Sequence, residues 1–444
     1  MSLDQRFAEA MGQLLGPDFP TDIALAVSGG GDSMAMLTLA HNWAHRWGVR
    51  IWVVTVDHGL RHESAEEAAV VARECAALGH PHATLRWHWD GQGNKLDAAR
   101  RARLDLIDRW RGDIGHVLMA HTRDDLAETF LMRLRRGSGV EGLSAMRAKR
   151  RVAVGQRPAI ADEDCTGARP PSTGARQPGF SVLRPCLDMS RDALRHYLRV
   201  LKGTWVDDPS NDDPSYDRAR IRQLLTVLEG EGMDKDSLAA TARRLRDERQ
   251  ALMMRAAQVW QEIGQDHPDG SLSFAPDWHG QVETATQRRL LSAALQYVSA
   301  ADYGPRADAL EALRDRLVSG GTGTLHGCEA AIVKGRLTIF REYAAVQAKI
   351  SEAGKDTLWD NKWLVSLPGS KGLTIRALGE DGWRQVRDKP QGAPAHRVGL
   401  ALPAVWEGDD LIVCDLLGVG PGGTTAFSPQ GQSGFDFKAF LLSH

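Results

Sequence analysis

Between Asp22 and Leu134 short apolar runs alternate four times with longer amphipathic ones, and few architectures accept that order. Residues 23–27, 51–56, 82–89 and 116–119 read as strands, and residues 33–47, 64–78, 95–110 and 124–134 as helices. Parallel neighbours need a crossover of a dozen or more residues, usually a helix, so the pattern predicts a parallel sheet with helices on both faces. The expected fold class is α/β, with a Rossmann-like N-terminal sheet. Sheets of this kind bind ligands beyond the carboxyl ends of their strands.

The rest of the chain is less regular. Residues 150–179 are rich in Pro, Gly and Arg without a sustained period, which predicts a long mobile loop, either an insertion or an RNA-contacting element. A short amphipathic helix is expected over 190–201, and Asp-Pro pairs interrupt regular structure at 207–214. Three helical stretches dominate 221–317, two strands fit 320–341, and a turn-rich linker near 351–356 precedes a β-rich segment over 363–419. With 444 residues, two or three domains are expected. The division is a catalytic 1–215, a mainly helical 216–350 and a small C-terminal 357–444.

Composition narrows the class. Five scattered cysteines (Cys75, Cys165, Cys186, Cys328, Cys414) include no C-x-x-C pair, which speaks against a zinc ribbon or dithiol centre and suits a reducing compartment. No basic region followed by an apolar run opens the sequence, and no stretch is apolar for long enough to span a bilayer, so a cytoplasmic protein without a membrane partner is expected. The net charge of -2 does not mark a dedicated nucleic-acid binder, yet basic residues outnumber acidic ones between Arg100 and Arg151. That run reads as a solvated face or a local RNA contact.

Four motifs fall at the predicted strand ends. Ser28-Gly29-Gly30-Gly31-Asp32-Ser33 joins the first strand to its helix. Three glycines let the backbone turn and turn its N–H groups on an anion, and the helix that follows adds its positive end. Asp32 would repel phosphates unless it holds a divalent cation or serves the reaction itself; a plain helix cap is the other reading. The spacing is neither a Walker loop nor a dinucleotide fingerprint. Val56-Asp57-His58-Gly59-Leu60-Arg61 ends the second strand, placed to meet the nucleoside of a nucleotide held by the first loop. In His121-Thr122-Arg123-Asp124-Asp125-Leu126-Ala127-Glu128, Asp125 and Glu128 share a helix face and call for a cation, a metal or an ammonium, although an acidic first turn also satisfies a helix dipole. Arg100 and Arg103 share a face of the third helix and suit phosphates of a nucleotide or of RNA.

Taken in order, residues 28–33, 56–64, 94–103, 121–129, 135–143, 183–185 and 205–211 resemble the PP-loop ATP pyrophosphatase superfamily and, within it, the bacterial tRNA(Ile)-lysidine synthases. The resemblance covers the first half of the chain closely and the remainder loosely. It implies ATP and Mg²⁺, a CAU-anticodon isoleucine tRNA and free L-lysine as partners, and it allows a homodimer. The reaction it implies is adenylation of the wobble cytidine followed by attack of lysine at C2. Residues 28–33 with Asp57 and His58 would bind ATP, with Asp32 as the Mg²⁺ ligand. Asp32, His121, Asp125 and Glu128 would be catalytic. Arg100, Arg103, Asp124, Asp125, Glu128, Arg136, Arg218 and Arg222 would meet lysine or tRNA. Leu104 stands where the family commonly has tyrosine, Ala219 where it has asparagine, and the 150–179 segment is longer than usual.

The rival readings are a PP-loop tRNA thiolase, which commonly uses cysteine pairs or an iron–sulfur cluster, an amidating adenylase, and a non-catalytic nucleotide or RNA binder. A pure binder gains nothing from carboxylates at a phosphate site.

Overall fold

The computed structural model describes residues 1–59, 64–89, 91, 95–152, 159–173, 179–207, 215, 217–301, 303–354, 357–367, 372–427 and 436–443. It forms two compact units, Met1–Arg249 and Gln250–His444.

The first unit runs α1 (Leu3–Leu15), β1 (Asp22–Ala26), α2 (Gly31–Trp47), β2 (Arg50–Asp57), α3 (Ser64–Leu78), β3 (His82–Arg86), α4 (Lys95–Trp110), β4 (His116–Met119) and α5 (Arg123–Leu134). It continues with α6 (Val140–Leu143), β5 (Lys149–Val152), β6 (Cys165–Gly167), β7 (Phe180–Leu183), α7 (Arg191–Val200), α8 (Asp217–Gly230) and the first part of α9 (Lys235–Ile263). Seven strands form one sheet in the order β5-β7-β4-β1-β2-β3-β6. The five central strands are parallel, as the alternation predicts, and the order reverses between β1 and β4. Side-chain alternation accounts for the two covered faces. Ile23, Leu25, Ile51 and Val53 pack against α1, α2 and α7 on one side. Ala24, Val54 and Val117 pack with Leu106, Ile107 and Trp110 of α4 on the other.

Among the described residues, 150–179 are mostly without regular structure, as expected of a loop, but contribute two short strand pieces. Their described part carries the end of β5 and all of β6, which pair antiparallel with β7 and β3 and so close opposite edges of the sheet. Strands this short show no period of two, and their pairing is decided by partners remote in sequence. Gly167, at φ 108°, lies where a Cβ would stand 2.3 Å from the His82 carbonyl oxygen, so only glycine brings this edge into register.

The basic run is also not one solvated face. Arg111 is 1% exposed. Its Nε donates to Asp108 Oδ1 at 2.8 Å, Nη1 to the Ile114 carbonyl at 2.7 Å and Nη2 to the Gly179 carbonyl at 2.8 Å. It thereby ties the entry of β7 to the end of α4. Arg111→Met is expected to destabilise the protein by about 3–5 kcal/mol, because it leaves the Asp108 carboxylate buried without that partner. A urea-unfolding midpoint unchanged from wild type would refute this.

The second unit has its own core. The end of α9, β8 (Gly264–Asp266), β9 (Leu272–Phe274), α10 (Thr284–Ser299), α11 (Ala307–Val318), β10 (Gly323–Leu325), β11 (Cys328–Val333) and β12 (Arg336–Arg341) follow one another. Their sheet has the order β10-β11-β12-β9-β8, so the stretch read as helical also contributes two short strands. Next come β13 (Ser351–Glu352), β14 (Thr357–Trp359), β15 (Trp363–Val365), β16 (Thr374–Ala377), α12 (Gly379–Gln385), α13 (His396–Gly399), β17 (Pro403–Glu407), β18 (Asp410–Val413) and β19 (Thr425–Phe427), in two small sheets. The final helix α14 (Phe437–Ser443) returns to the α9–α10 core, where Phe437 stands 4.6 Å from the Trp260 ring and Phe440 5.2 Å from Tyr297. Among the described residues no helix is long and apolar enough to cross a membrane.

Candidate active site

The glycine loop sits where β1 gives way to α2, beside the reversal of strand order. Gly29 adopts φ 86°, a left-handed conformation that lets the chain turn after Ser28. Ser28 and Ser33 close the turn: Ser28 N donates to Ser33 Oγ at 3.2 Å, and Ser33 Oγ donates to the Gly30 carbonyl at 2.9 Å. Gly30 caps α2 without a side-chain hydrogen bond, leaving the first N–H groups of the helix for another acceptor. Val206 N donates to the Gly29 carbonyl at 2.9 Å, so the 205–207 strip lies against the loop. Leu60 to Glu63, Asn94 and Asp208 to Asn211, parts of the family-like motifs, lie outside the described residues.

Asp32, Asp125 and Glu128 converge on one guanidinium. Arg191, the first residue of α7, places Nε 3.1 Å from Asp32 Oδ2, Nη1 3.0 Å from Glu128 Oε1 and Nη2 3.4 Å from Asp125 Oδ1. Two arginines of α8 complete the cluster. Arg218 reaches Glu128 Oε2 at 2.6 Å and Asp125 Oδ1 at 2.7 Å, and Arg222 reaches Glu128 Oε1 at 2.8 Å. The cation that the Asp125–Glu128 pair demands is thus supplied by the chain itself, three carboxylates facing three guanidinium groups. The three arginines are unequally accessible, at 17% for Arg191, 25% for Arg222 and 41% for Arg218.

Local structure sets the carboxylates in place. Thr122 and Asp125 form a capping box at the start of α5, with Thr122 N donating to Asp125 Oδ2 at 2.7 Å. The other oxygen of Asp125 is left to the arginines. Asp124 accepts from Arg191 N at 2.8 Å and lies 3.5 Å from Lys235 Nζ. Burial acts to raise Asp125, but Arg218 and Arg191, with the hydrogen bond from the Thr122 N–H, outweigh it and hold its carboxyl below the usual range. For Asp32 burial wins over Arg191 and pushes the carboxyl up. Among the described residues, Asp32 Oδ1 is buried with no hydrogen-bond partner.

Two histidines flank this centre, each met by an arginine. Arg184 Nε donates to His121 Nδ1 at 3.2 Å. Arg103 Nη2 lies 3.3 Å from His58 Nε2. A guanidinium only donates, so His58 Nε2 accepts and the ring proton sits on Nδ1, a buried atom without a partner among the described residues. Asp57 Oδ1 accepts from Gly59 N at 2.8 Å. Asp57 and His58 line a cavity of about 330 Å³ with Trp87, Trp89, Arg86 and Lys95. Arg100 lies close enough for its charge to act on both His121 and Arg184. Arg136 is not brought to the cluster; with Arg135 it faces Asp217 at the start of α8. Sequence reasoning missed Arg191 and Lys235, and took Arg184 only as part of a motif. A helix-opening arginine carries no local sign of the carboxylates it will meet.

Burial pushes His58, His82 and His121 each down to about 4. Their folded values lie below the unfolded one, so between about pH 6.5 and 4 the unfolded chain binds protons that the folded chain declines. Stability is therefore full above that window and falls on acidification, by roughly 4–6 kcal/mol for the three rings together between pH 7 and 5. A Tm that does not fall between those two pH values would show that these rings are not held neutral.

A family model described as PP-loop domain matches residues 3–228. A tRNA(Ile)-lysidine synthase of Ruegeria pomeroyi is 38% identical over 436 residues, covering 96% of this chain and 95% of the relative. One from Hyphomonas neptunium is 35% identical over 327 residues, covering 72% and 82%. Among solved structures, the U34-tRNA thiolase NcsA from Methanococcus maripaludis with its [4Fe-4S] cluster aligns at 15% identity and a TM-score of 0.41, over 55% of this chain and 79% of that one. With a matching domain model over half its length and a relative matched nearly end to end, the chain belongs to the tRNA(Ile)-lysidine synthase family of PP-loop proteins.

Proposed function

We propose that the protein uses ATP to adenylate the wobble cytidine of a CAU-anticodon isoleucine tRNA and then joins lysine to it, giving lysidine, AMP and pyrophosphate. The observation that carries the reading is the gathering of Asp32, Asp125 and Glu128 around Arg191 beside the glycine loop. In the first step an oxygen–phosphorus bond forms between the cytidine O2 and the α-phosphate, and the bond to pyrophosphate breaks. In the second a carbon–nitrogen bond forms at C2 as the carbon–oxygen bond breaks, and the electron pair leaves with AMP.

The residues divide this work. Ser28 to Ser33 receive the phosphates on backbone N–H groups and the α2 terminus. Asp57, His58 and the tryptophan-lined cavity take the nucleoside, with the free His58 Nδ1–H offered to an acceptor. The carboxylate of Asp32 fits Mg²⁺, a hard cation that prefers oxygen and is often held by one or two carboxylates together with phosphates. Its unpartnered Oδ1 is the atom for it; the ion would neutralise charge on the phosphates. Among the described residues no group of three or more His, Cys, Asp or Glu is arranged to hold a metal, so the phosphates and water would supply its other ligands.

Asp125 and Glu128 hold the lysine ammonium. Freeing its lone pair at neutral pH costs roughly 4–5 kcal/mol, which a carboxylate accepting the proton during attack offsets. Every oxygen of Glu128 is engaged by arginine, so the ammonium takes the place of the most exposed one, Arg218. Displaced, Arg218 joins Arg100, Arg103 and Arg136 in facing tRNA phosphates, while Arg222 stays on Glu128.

Incubation with ATP, Mg²⁺, labelled lysine and the CAU-anticodon isoleucine tRNA tests the reading. Lysine is expected to become tRNA-bound, with tRNA-dependent ATP–pyrophosphate exchange when lysine is left out. Folded protein that shows neither returns the assignment to a generic adenylating enzyme.

A further inference from the structure

We propose that Arg184 fixes His121 as a neutral ring with its proton on Nε2, and that His121 acts as a hydrogen-bond donor to a reacting oxygen and not as a base. The donor role rests on the function proposed above; the tautomer does not. Arg184 follows β7 and is itself immobilised. Its backbone N–H donates to the Ala148 carbonyl at 2.8 Å, Nη1 donates to the Arg147 carbonyl at 2.8 Å, and the residue is buried. Its Nε therefore reaches His121 Nδ1, at 3.2 Å, from a fixed direction.

Guanidinium nitrogens donate and cannot accept, so this contact exists only while Nδ1 carries a lone pair. A neutral imidazole has one N–H, which must then be at Nε2. Protonation would set N–H against N–H. The charged groups acting on the ring come from four elements: Arg184 after β7, Asp125 on α5, Arg218 on α8 and Arg100 on α4. Three cations against one carboxylate, in a buried setting, keep the ring uncharged, and burial with Arg184 pushes it down to about 4. Nδ1 is occupied and Nε2 carries a proton, so no nitrogen is free to accept another. A general base is excluded by that count. What remains is a preorganised donor at the carboxyl end of β4, suited to an oxygen that gains negative charge. Such an oxygen exists on the ATP phosphates in the first step and on the departing AMP in the second.

Nitrogen NMR of histidine-labelled protein tests the tautomer without any substrate. His121 is expected to show an unprotonated Nδ1 and a protonated Nε2, unchanged from pH 5.5 to 8. The opposite tautomer, or titration near pH 6.5, overturns the proposal. In Arg184→Met the signature should change to a mixture of tautomers, with Arg184→Lys partly restoring it; a signature identical to wild type in Arg184→Met means that Arg184 does not set the ring.

The donor role is read from substitutions. His121→Asn keeps an amide N–H and is expected to retain at least about tenfold more kcat than His121→Ala, with the KM for ATP within threefold. Equal loss in both variants overturns the donor role while leaving lysidine formation by wild type untouched. Exchange without lysine places the oxygen: slowing of exchange assigns it to ATP, and slowing of lysine transfer alone assigns it to AMP.

Discussion

Asp32→Asn is expected to lower the rate of pyrophosphate formation by about two to three orders of magnitude while the protein stays folded. The amide keeps the size of the side chain and one oxygen, so the turn between β1 and α2 survives. It removes the charge that makes Asp32 a cation ligand and weakens the 3.1 Å contact to Arg191. A carboxylate-to-cation interaction worth about 3–4 kcal/mol in the transition state corresponds to that loss, at 1.36 kcal/mol per factor of ten. Raised Mg²⁺ should recover part of the rate. Pyrophosphate release within tenfold of wild type at low Mg²⁺ would remove Asp32 from the reaction and leave it as an acidic residue in the first turn of α2.

Glu128→Gln should have the second large effect, of a different kind. Glu128 is 1% exposed and meets Arg191, Arg218 and Arg222. Neutralising it leaves three guanidinium groups sharing the charges of Asp32 and Asp125, and the expected destabilisation is about 3–5 kcal/mol. Lysine transfer should fall more than about a hundredfold, while ATP–pyrophosphate exchange stays within tenfold, because the phosphate grip does not use this side chain. The double variant Glu128→Gln with Arg222→Gln should regain stability, since one unpaired cation is removed, yet gain no lysine transfer. Recovery of transfer with stability would mean that Glu128 only holds α8 against α5. Equal loss of exchange and transfer would place it in adenylation.

Both predictions depend on a cluster that was half legible. Asp32, Asp125 and Glu128 stood out because each sits at a predicted strand end in a place where a carboxylate is otherwise unfavourable. Their counter-charges did not stand out. Arg191 follows a serine cap in what reads as an ordinary amphipathic helix, and it meets Asp32 across 159 residues of sequence. Arg218 and Arg222 were reached through family resemblance, as contacts to substrate, and the structure shows them on Asp125 and Glu128. The strand pieces within 150–179 went unseen for a related reason. A three-residue edge strand such as β6 is too short to carry a periodic signal, and its partner is chosen by the shape of the finished sheet.

The amino-acid sequence by itself determined the parallel sheet, the glycine turn at Ser28 to Ser33 and the placing of the acidic residues at strand ends. These are local matters of apolar periodicity, glycine conformation and helix capping, each decided within about fifteen residues. Tertiary structure alone decided which cations those acids face, which nitrogen of His121 carries the proton, and which strands close the sheet. Such contacts depend on directions in space between segments that share no register, so no spacing in the chain encodes them, and a charge reads the same in sequence whether water or Arg191 stands beside it.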